Sequence, residues 1–379
     1  MYFIILLGIV SLFGDVTYEG ARSVTGPYLA TLGASAGVVG LVAGIGEFAG
    51  YALRLVFGYL ADRTKAYWLL TFIGYGLLIS IPLLAFAGYW QLAAVLIILE
   101  RMGKAIRSPA RDTMLSYATK KVGRGWGFAV HEALDQVGAI IGPIVFFFIL
   151  RSDSGYSEGF TLLWIPALLT LAVLALARKK VPSPQKLESS EETSRQNIHG
   201  KLPKIFWLYT VFTLFSVAGF ANFQLISYHL KVQSIVPDAQ IPIIYAIAMG
   251  VDALAALLAG KTYDRIGLIS LLAIPLLTLP IPFLAFSHSY SLVLISIILW
   301  GVVMGIQETI MRAAIADLTP MERRGFAYGI FNTAYGASWF LGAALMGLLY
   351  ELSINYLILF AIVMELISIP LFFLVRRAA

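Results

Sequence analysis

The chain has 379 residues, 59% of them hydrophobic and only 13% charged, with a formal charge of +6 and no cysteine. Soluble domains carry about 25% charged residues, so this composition describes an integral membrane protein. The missing cysteine excludes disulfides, thiolate metal sites and cysteine nucleophiles. Four dispersed histidines give no metal-ligand spacing, and neither metal nor cofactor is expected.

The opening stretch MYFIILLGIVSLFGD has no basic leader and no small-residue cleavage site, and reads as a first span. A run of about 20 apolar residues crosses the hydrocarbon core. Twelve such runs occur, at 4–32, 36–61, 67–88, 90–117, 122–150, 159–178, 204–231, 240–262, 268–287, 290–317, 322–350 and 354–375. Between the sixth and seventh lies the polar segment KKVPSPQKLESSEETSRQNIHGK, without an apolar period, which reads as a flexible linker. The expected division is therefore 1–178, a linker at 179–201, and 202–379. Basic residues collect on one side: Arg63, Lys65, Lys120, Lys121, Arg124, Arg178–Lys180, Arg265, Arg323, Arg324, Arg376 and Arg377. The positive-inside rule places both termini and the linker in the cytoplasm of a cell-membrane protein. It also explains the basic charge without nucleic acid, which is not an expected partner.

The fourth span is the unusual one. The apolar run LAAVLIIL continues directly into Glu100, Arg101, Gly103, Lys104, Arg107, Pro109, Arg111 and Asp112. On one helix Glu100, Lys104, Arg107 and Arg111 fall within about 60° of each other, in a stripe roughly 16 Å long. A lipid-facing cation at mid-depth costs several kcal/mol, so the stripe is expected to face protein or a water-filled cavity. Span one places Asp15, Glu19 and Arg22 on one face. Span five places His131, Asp135, Gly138 and Gly142 on one face, with Glu132 alongside.

The chain repeats internally. Gly58, Asp62 and Arg63 at the end of span two recur as Gly260, Asp264 and Arg265 at the end of span eight, in the frame G-x-x-x-D-R. Arg124-Gly125-Trp126-Gly127-Phe128 recurs as Arg324-Gly325-Phe326-Ala327-Tyr328. Both pairs have the same offset of about 200 residues, as parallel repeats do.

With twelve spans, a six-plus-six division and the D-R loop in both halves, the chain resembles the major facilitator superfamily over its whole length. The run from Arg101 to Asp112 is similar to a fourth-helix pattern, R-x-G-K-x-x-R-x-x-x-R-D, of a poorly characterised permease branch. The resemblance implies an all-α membrane protein of two pseudo-symmetric six-helix bundles that rock about a solute bound at the midplane. In that family the D-R loop is a gate. Asp62 would accept from amides at the start of span eleven, near Met321, and Arg63 would pair with a carboxylate at the end of span four, for which Asp112 is the candidate. The other reading of this loop is an ordinary turn with topogenic bases.

Gly138-x-x-x-Gly142-Pro143 resembles a motif of proton-driven exporters, although the Gly-Gly that usually follows is replaced by Ile144-Val145. Simple helix packing is the alternative. Arg101 stands where those exporters carry a mid-helix arginine.

Asp15, Glu19, His131, Glu132 and Asp135 are the candidate proton carriers. Arg22, Glu100, Arg101, Lys104, Arg107 and Arg111 are candidate counter-ions or substrate ligands, unless the whole set is a fixed ion-pair network that orders the bundle. Glu47 is left open between the two. In the second half Asn222, Gln224, Gln307 and Asn332, with His229 and Asp252, are scattered polar candidates for solute contact. Glu308 and Arg312 are expected to pair, and Glu365 is expected to be peripheral. No P-loop or nucleophile elbow is present, so neither an ATP-driven pump nor a hydrolase is indicated. The expectation is a non-enzymatic, monomeric secondary transporter of a small solute. Proton-coupled export is one form of it, and proton-coupled uptake of an organic anion is the other.

Overall fold

The computed structural model describes residues 1–119, 124–152, 154–187, 202–319 and 324–378. Among them every regular element is a helix, as a bilayer requires of a chain that must satisfy each backbone group internally. The helices are α1 (Tyr2–Thr31), α2 (Ala36–Thr64), α3 (Tyr67–Gly76), α4 (Trp90–Thr119), α5 (Arg124–Arg151), α6 (Tyr156–Leu162), α7 (Trp164–Lys180) and α8 (Lys204–Ala218). They continue with α9 (Phe223–Val232), α10 (Gln240–Ile266), α11 (Ala273–Thr278), α12 (Ile281–Ala285), α13 (Tyr290–Leu318), α14 (Arg324–Leu352) and α15 (Ile354–Ala378).

Nine segments of the described residues are long and apolar enough to cross a membrane. One of these, Gln240–Ala285, is 46 residues long and contains two of the expected spans. Helices α4 and α14 stand at two further expected positions. The charges from Glu100 to Asp112 dilute the apolar character of α4, and glycines, tyrosines and a tryptophan dilute that of α14. The start of the linker is less open than its composition suggests. Helix α7 runs on to Lys180, a 3-10 turn follows at Pro184–Leu187, and Leu187 packs on the core formed by Met114, Leu115 and Leu174. Residues 188–201 lie outside the described residues.

By contact the chain forms two units: Met1–Tyr28, Ala49–Ser194 and Asp238–Ala246 in the first, Leu29–Phe48, Arg195–Pro237 and Ile247–Ala379 in the second. Glycine sets the tightest approaches within the first. A methyl group on Gly74 of α3 would lie 2.5 Å from the Gly103 carbonyl oxygen of α4, and one on Gly103 would lie 2.7 Å from that of Gly74. The Gly138 and Gly142 Cα atoms of α5 press in the same way on the Leu12 and Val16 carbonyls of α1. These contacts bring the polar faces of α1, α4 and α5 within side-chain reach of one another.

In the second unit the expected seventh span is broken. Helix α8 ends at Gly219, and α9 restarts after Asn222, whose side chain accepts from the Leu225 amide at 2.8 Å. This is an N-cap, the ordinary signal for starting a helix. Trp300 of α13 donates to the carbonyl of Ala221 at 2.8 Å and stacks on Phe220, holding the break in place. The same unit joins the first half of α2 to α14. Gly40 and Gly44 press on the backbone of Ala343 and Phe340, and Glu351 accepts from the Gly37 amide at 2.7 Å. A carboxylate at that place satisfies an orphan donor of the α2 N-terminus and complements its dipole.

Gly40 and Gly58, both on α2, should therefore respond oppositely to a methyl group. Gly40→Ala forces the helices apart at a cost of about 1–3 kcal/mol, typical of overpacking. Gly58→Ala meets only Pro109 at 3.7 Å, an ordinary contact. Thermal unfolding in detergent should show a clear loss of stability for Gly40→Ala and none for Gly58→Ala.

Candidate functional site

The charged residues of α1, α4 and α5 converge inside the first unit, and an uncharged residue stands at their centre. Tyr18 of α1, 2% exposed, accepts hydrogen bonds from Arg22 at 2.9 Å and from Arg101 at 2.5 Å. The Arg101 guanidinium also lies 4.4 Å from the ring centroid, and the Lys104 ammonium 4.1 Å from it. A cation over a tyrosine face gains about 0.5–2 kcal/mol. The ring therefore gathers three cations without neutralising any.

The α4 stripe is answered mainly from within its own neighbourhood. Glu100 is buried, with Arg107 at 3.3 Å and Arg101 at 3.7 Å. Arg107 is 2% exposed, reaches the Gly74 carbonyl at 3.4 Å and lies 4.8 Å from the Tyr75 ring. The close Gly74–Gly103 contact makes both approaches possible, which explains a glycine immediately before Lys104. Arg111 donates to Asp112 at 2.9 Å and to Ser11 of α1 at 2.8 Å, and lies 3.9 Å from Asp135 of α5.

The carboxylates of α1 differ in their company. Glu19 is buried, accepts from the Tyr245 hydroxyl of α10 at 2.6 Å, and lies 3.8 Å from Arg22. Asp15 is half-buried, in the field of Asp135, Lys104, Glu19 and Arg107. His131 is buried 3.7 Å from Asp135, while Glu132 is exposed. Gly138 and Gly142 determine this part of the arrangement, because they let α5 press its Asp135 face against α1. The motif is thus a packing surface, and what it packs is the site.

Several expectations change. Asp112 is paired with its neighbour Arg111, whereas Asp62 and Arg63 are exposed. The carboxylate expected to pair with Arg63 is held by the sequence-adjacent arginine, with about half of its side chain still exposed. Residues 320–323, which include the expected Asp62 partner near Met321, lie outside the described residues. Gly58 and Gly260 are not forced by close approach. A methyl group would meet Pro109 at the first and Thr309 at the second, each at 3.7 Å, an equivalence that shows the repeat clearly. Asp264 and Arg265 are exposed, and the neighbouring Tyr263 donates to Asp317 at 2.6 Å.

Asn222 is a helix cap rather than a free ligand, although its amide nitrogen has no partner. Gln307 accepts from Tyr335 at 3.0 Å, and His229 bonds Tyr350 at 2.8 Å. Gln224, Asp252 and Glu47 are buried, and Asn332 and Glu308 are partly so. The side chain of Arg312 lies outside the described ones, so the pairing expected with Glu308 does too. Glu365, expected at the periphery, is fully buried. Among the described residues no cluster of three or more His, Asp or Glu could hold a metal.

Tyr18, Tyr75 and Tyr245 are the site residues that charge patterns missed. Tyr18 had a signal, since it sits four residues before Arg22 and shares its helix face. Tyr245 had none, because its role depends on α10 meeting α1.

Comparison with known proteins gives the wider setting. The Major Facilitator Superfamily model matches residues 6–274 and again 233–379. An uncharacterised protein of Mycobacterium tuberculosis is 43% identical over 379 residues, covering 99% of this chain and 93% of that protein. An uncharacterised MFS-type transporter of Methanocaldococcus jannaschii is 27% identical over 375 residues, covering 96% and 92%. Among solved structures, a mutant form of the nucleoside transporter NupG aligns with a TM-score of 0.77 at 16% identity, covering 99% of each chain, a likeness of fold alone. Sequence and fold agree: this chain belongs to the major facilitator superfamily.

Proposed function

We propose that this protein is a proton-coupled secondary transporter that exports a small, partly apolar solute by alternating access. In this reading residues 1–178 and 202–379 form two six-helix bundles, the termini are cytoplasmic, the D-R loops gate the cycle, and a single chain suffices. The observation that carries the coupling is the bond from Tyr245 to Glu19 at 2.6 Å, beside Arg22 at 3.8 Å. Glu19 belongs to the first repeat and Tyr245 to the second. Ionised, Glu19 holds both partners by charge-assisted contacts. A proton on Glu19 weakens both at once, so the charge on one carboxylate alters the grip of α1 on α10.

Asp15 stands one turn before Glu19 and shares the field of Lys104 and Arg107. Its carboxylate neighbours are Asp135 first and Glu19 after it, so a charge on Asp15 is felt by both. Around them Tyr18 keeps Arg22, Arg101 and Lys104 in place as cations. The resemblance of Gly138, Gly142 and Pro143 to the exporter motif is the support for export rather than uptake, although the same glycines also pack α5 on α1 and Ile144-Val145 depart from the motif. One observation favours the other direction: Lys104 sits over a neutral ring and is only partly buried, as suits a cation that takes an anionic solute. Uptake of an organic anion with protons is therefore the second reading.

The test is transport in proteoliposomes with an imposed pH gradient and a solute panel. Asp15→Asn and Glu19→Gln keep shape and remove titration. At least one should abolish gradient-driven accumulation while passive exchange or binding persists. Wild-type accumulation in both variants, with unchanged pH dependence, would make these carboxylates structural.

Tyr245→Phe separates the link from the titration. It removes a hydrogen bond to a charged group, worth about 1.5–3 kcal/mol. Exchange should survive, and the stoichiometry of protons to solute should fall.

The native chain has no cysteine, so thiol labelling is clean. Lys104→Cys should react with a hydrophilic reagent, whereas Arg107→Cys, at a site 2% exposed, should be protected. Equal protection of both would identify the stripe as a sealed ion-pair network.

A further inference from the structure

One buried carboxyl group lies outside the α1–α4–α5 network and has no role in the reading above. Glu365 of α15 is 0% exposed. Its Oε2 faces the Ser368 hydroxyl one turn away at 3.4 Å, and that hydroxyl donates to the Glu365 carbonyl at 2.8 Å. Its Oε1 has no hydrogen-bond partner, and neither has the hydroxyl of Ser216 on α8. The two hydroxyls are its electrostatic partners, and no charged residue is among them. Of the helices packed against α15, α12 is apolar, α11 adds only the Thr278 hydroxyl, which donates to Ile274, and the ionisable groups of α8 and α14 are not among the partners of Glu365.

The carboxyl is aimed at a particular piece of backbone. A methyl group placed on Gly219 would lie 2.7 Å from Oε1 and 3.0 Å from the Ala361 carbonyl oxygen. Gly219 is where α8 stops and the seventh span breaks. Gly219 is thus pressed against α15, where the methyl group would meet these two oxygens and the Met364 Cβ at 3.0 Å, with Ser216 one turn before it. Burying an ionised carboxylate against hydroxyls alone is unfavourable, because nothing there returns the lost hydration. One unit of positive charge on the carboxylate removes that cost. Interrupted membrane helices supply such sites, because their ends leave backbone groups without helical partners.

We propose that Glu365, with Ser216 and Ser368 beside the helix break at Gly219, is a second small-cation site, taking a proton or a sodium ion. It is separate from the Glu19 site and ties charge uptake in the second repeat to the break between α8 and α9. With the cation bound, the carboxyl packs neutrally against Gly219. Without it, the ionised group draws the hydroxyls and any amide within reach toward itself, and the short connection Gly219–Asn222 yields.

Two measurements test this on the full-length protein in lipid nanodiscs. The first is modification of wild-type Glu365 by dicyclohexylcarbodiimide, which attacks protonated carboxyls in apolar surroundings, read by peptide mass spectrometry. Yield falling as pH rises identifies a proton. Yield suppressed by sodium relative to choline at fixed pH identifies sodium. The second is the melting temperature of wild type and Glu365→Gln across pH, in sodium and in choline. The variant should lose the part of the pH or sodium dependence that the labelling assigns to Glu365, while Asp15→Asn keeps it. Identical pH and sodium dependence in wild type and Glu365→Gln overturns the proposal. So does a labelling yield that neither pH nor sodium changes, which marks a permanently protonated structural carboxyl.

Discussion

The first unit is built around the cost of holding full charges where water is scarce. Removing one partner of a buried ion pair costs about 3–5 kcal/mol, so each charge on α1, α4 and α5 needs an answer within hydrogen-bond reach. The chain provides that reach through backbone contact: Gly74 against Gly103 for α3 and α4, Gly138 and Gly142 against α1. Only then do Arg107, Arg111 and Asp135 find partners on neighbouring helices. The glycines and the charges are a single device, since neither has a reason to be there without the other.

Tyr18 shows why such a network need not be inert. An aspartate at that position would neutralise Arg22 or Arg101 and close the account for that charge. A phenol accepts from both guanidiniums and offers its face to Lys104 while adding no negative charge, so the charges of Arg22 and Arg101 are answered by Glu19 and Glu100 and not by the ring. The ring fixes the cations in position without entering the charge balance. That combination suits a site whose charge must change during a cycle, and a purely structural network has no need of it.

The fold was readable because membrane insertion constrains composition so strongly. Apolar runs, the D-R frame in both halves and the sorted basic residues all mark the architecture without reference to contacts. The α4 stripe was readable for the same reason, since six charges in an apolar stretch have few places to go. What stayed hidden depends on which helices meet. Tyr245 looks like any aromatic in an apolar run until α10 reaches Glu19. Asp112 looked available to Arg63 because sequence does not show that Arg111 turns back on it. Glu365 looked peripheral because a lone acid near the end of the last span usually is, and the packing of α15 against α8 and its other neighbours is not visible in sequence.

The carboxylates of α1 and α5 in the first unit and Glu365 in the second are held in opposite ways, and the difference bears on how charge could move the protein. In the first, carboxylates sit among arginines, so a proton gained by one is shared as a small rearrangement of many contacts. Rearrangement of that kind spreads along α1, α4 and α5 and reaches α10 through Tyr245. In the second, Glu365 stands among hydroxyls and apolar side chains, so its charge cannot be shared. The consequence of a charge change there falls on whatever backbone is nearest. That backbone is the break at Gly219, where α8 ends and its last carbonyls have no further helical amides to follow them. A distributed network tolerates being charged or neutral with modest adjustment, whereas an isolated carboxyl beside an interrupted helix converts the same change into a local shift of the main chain.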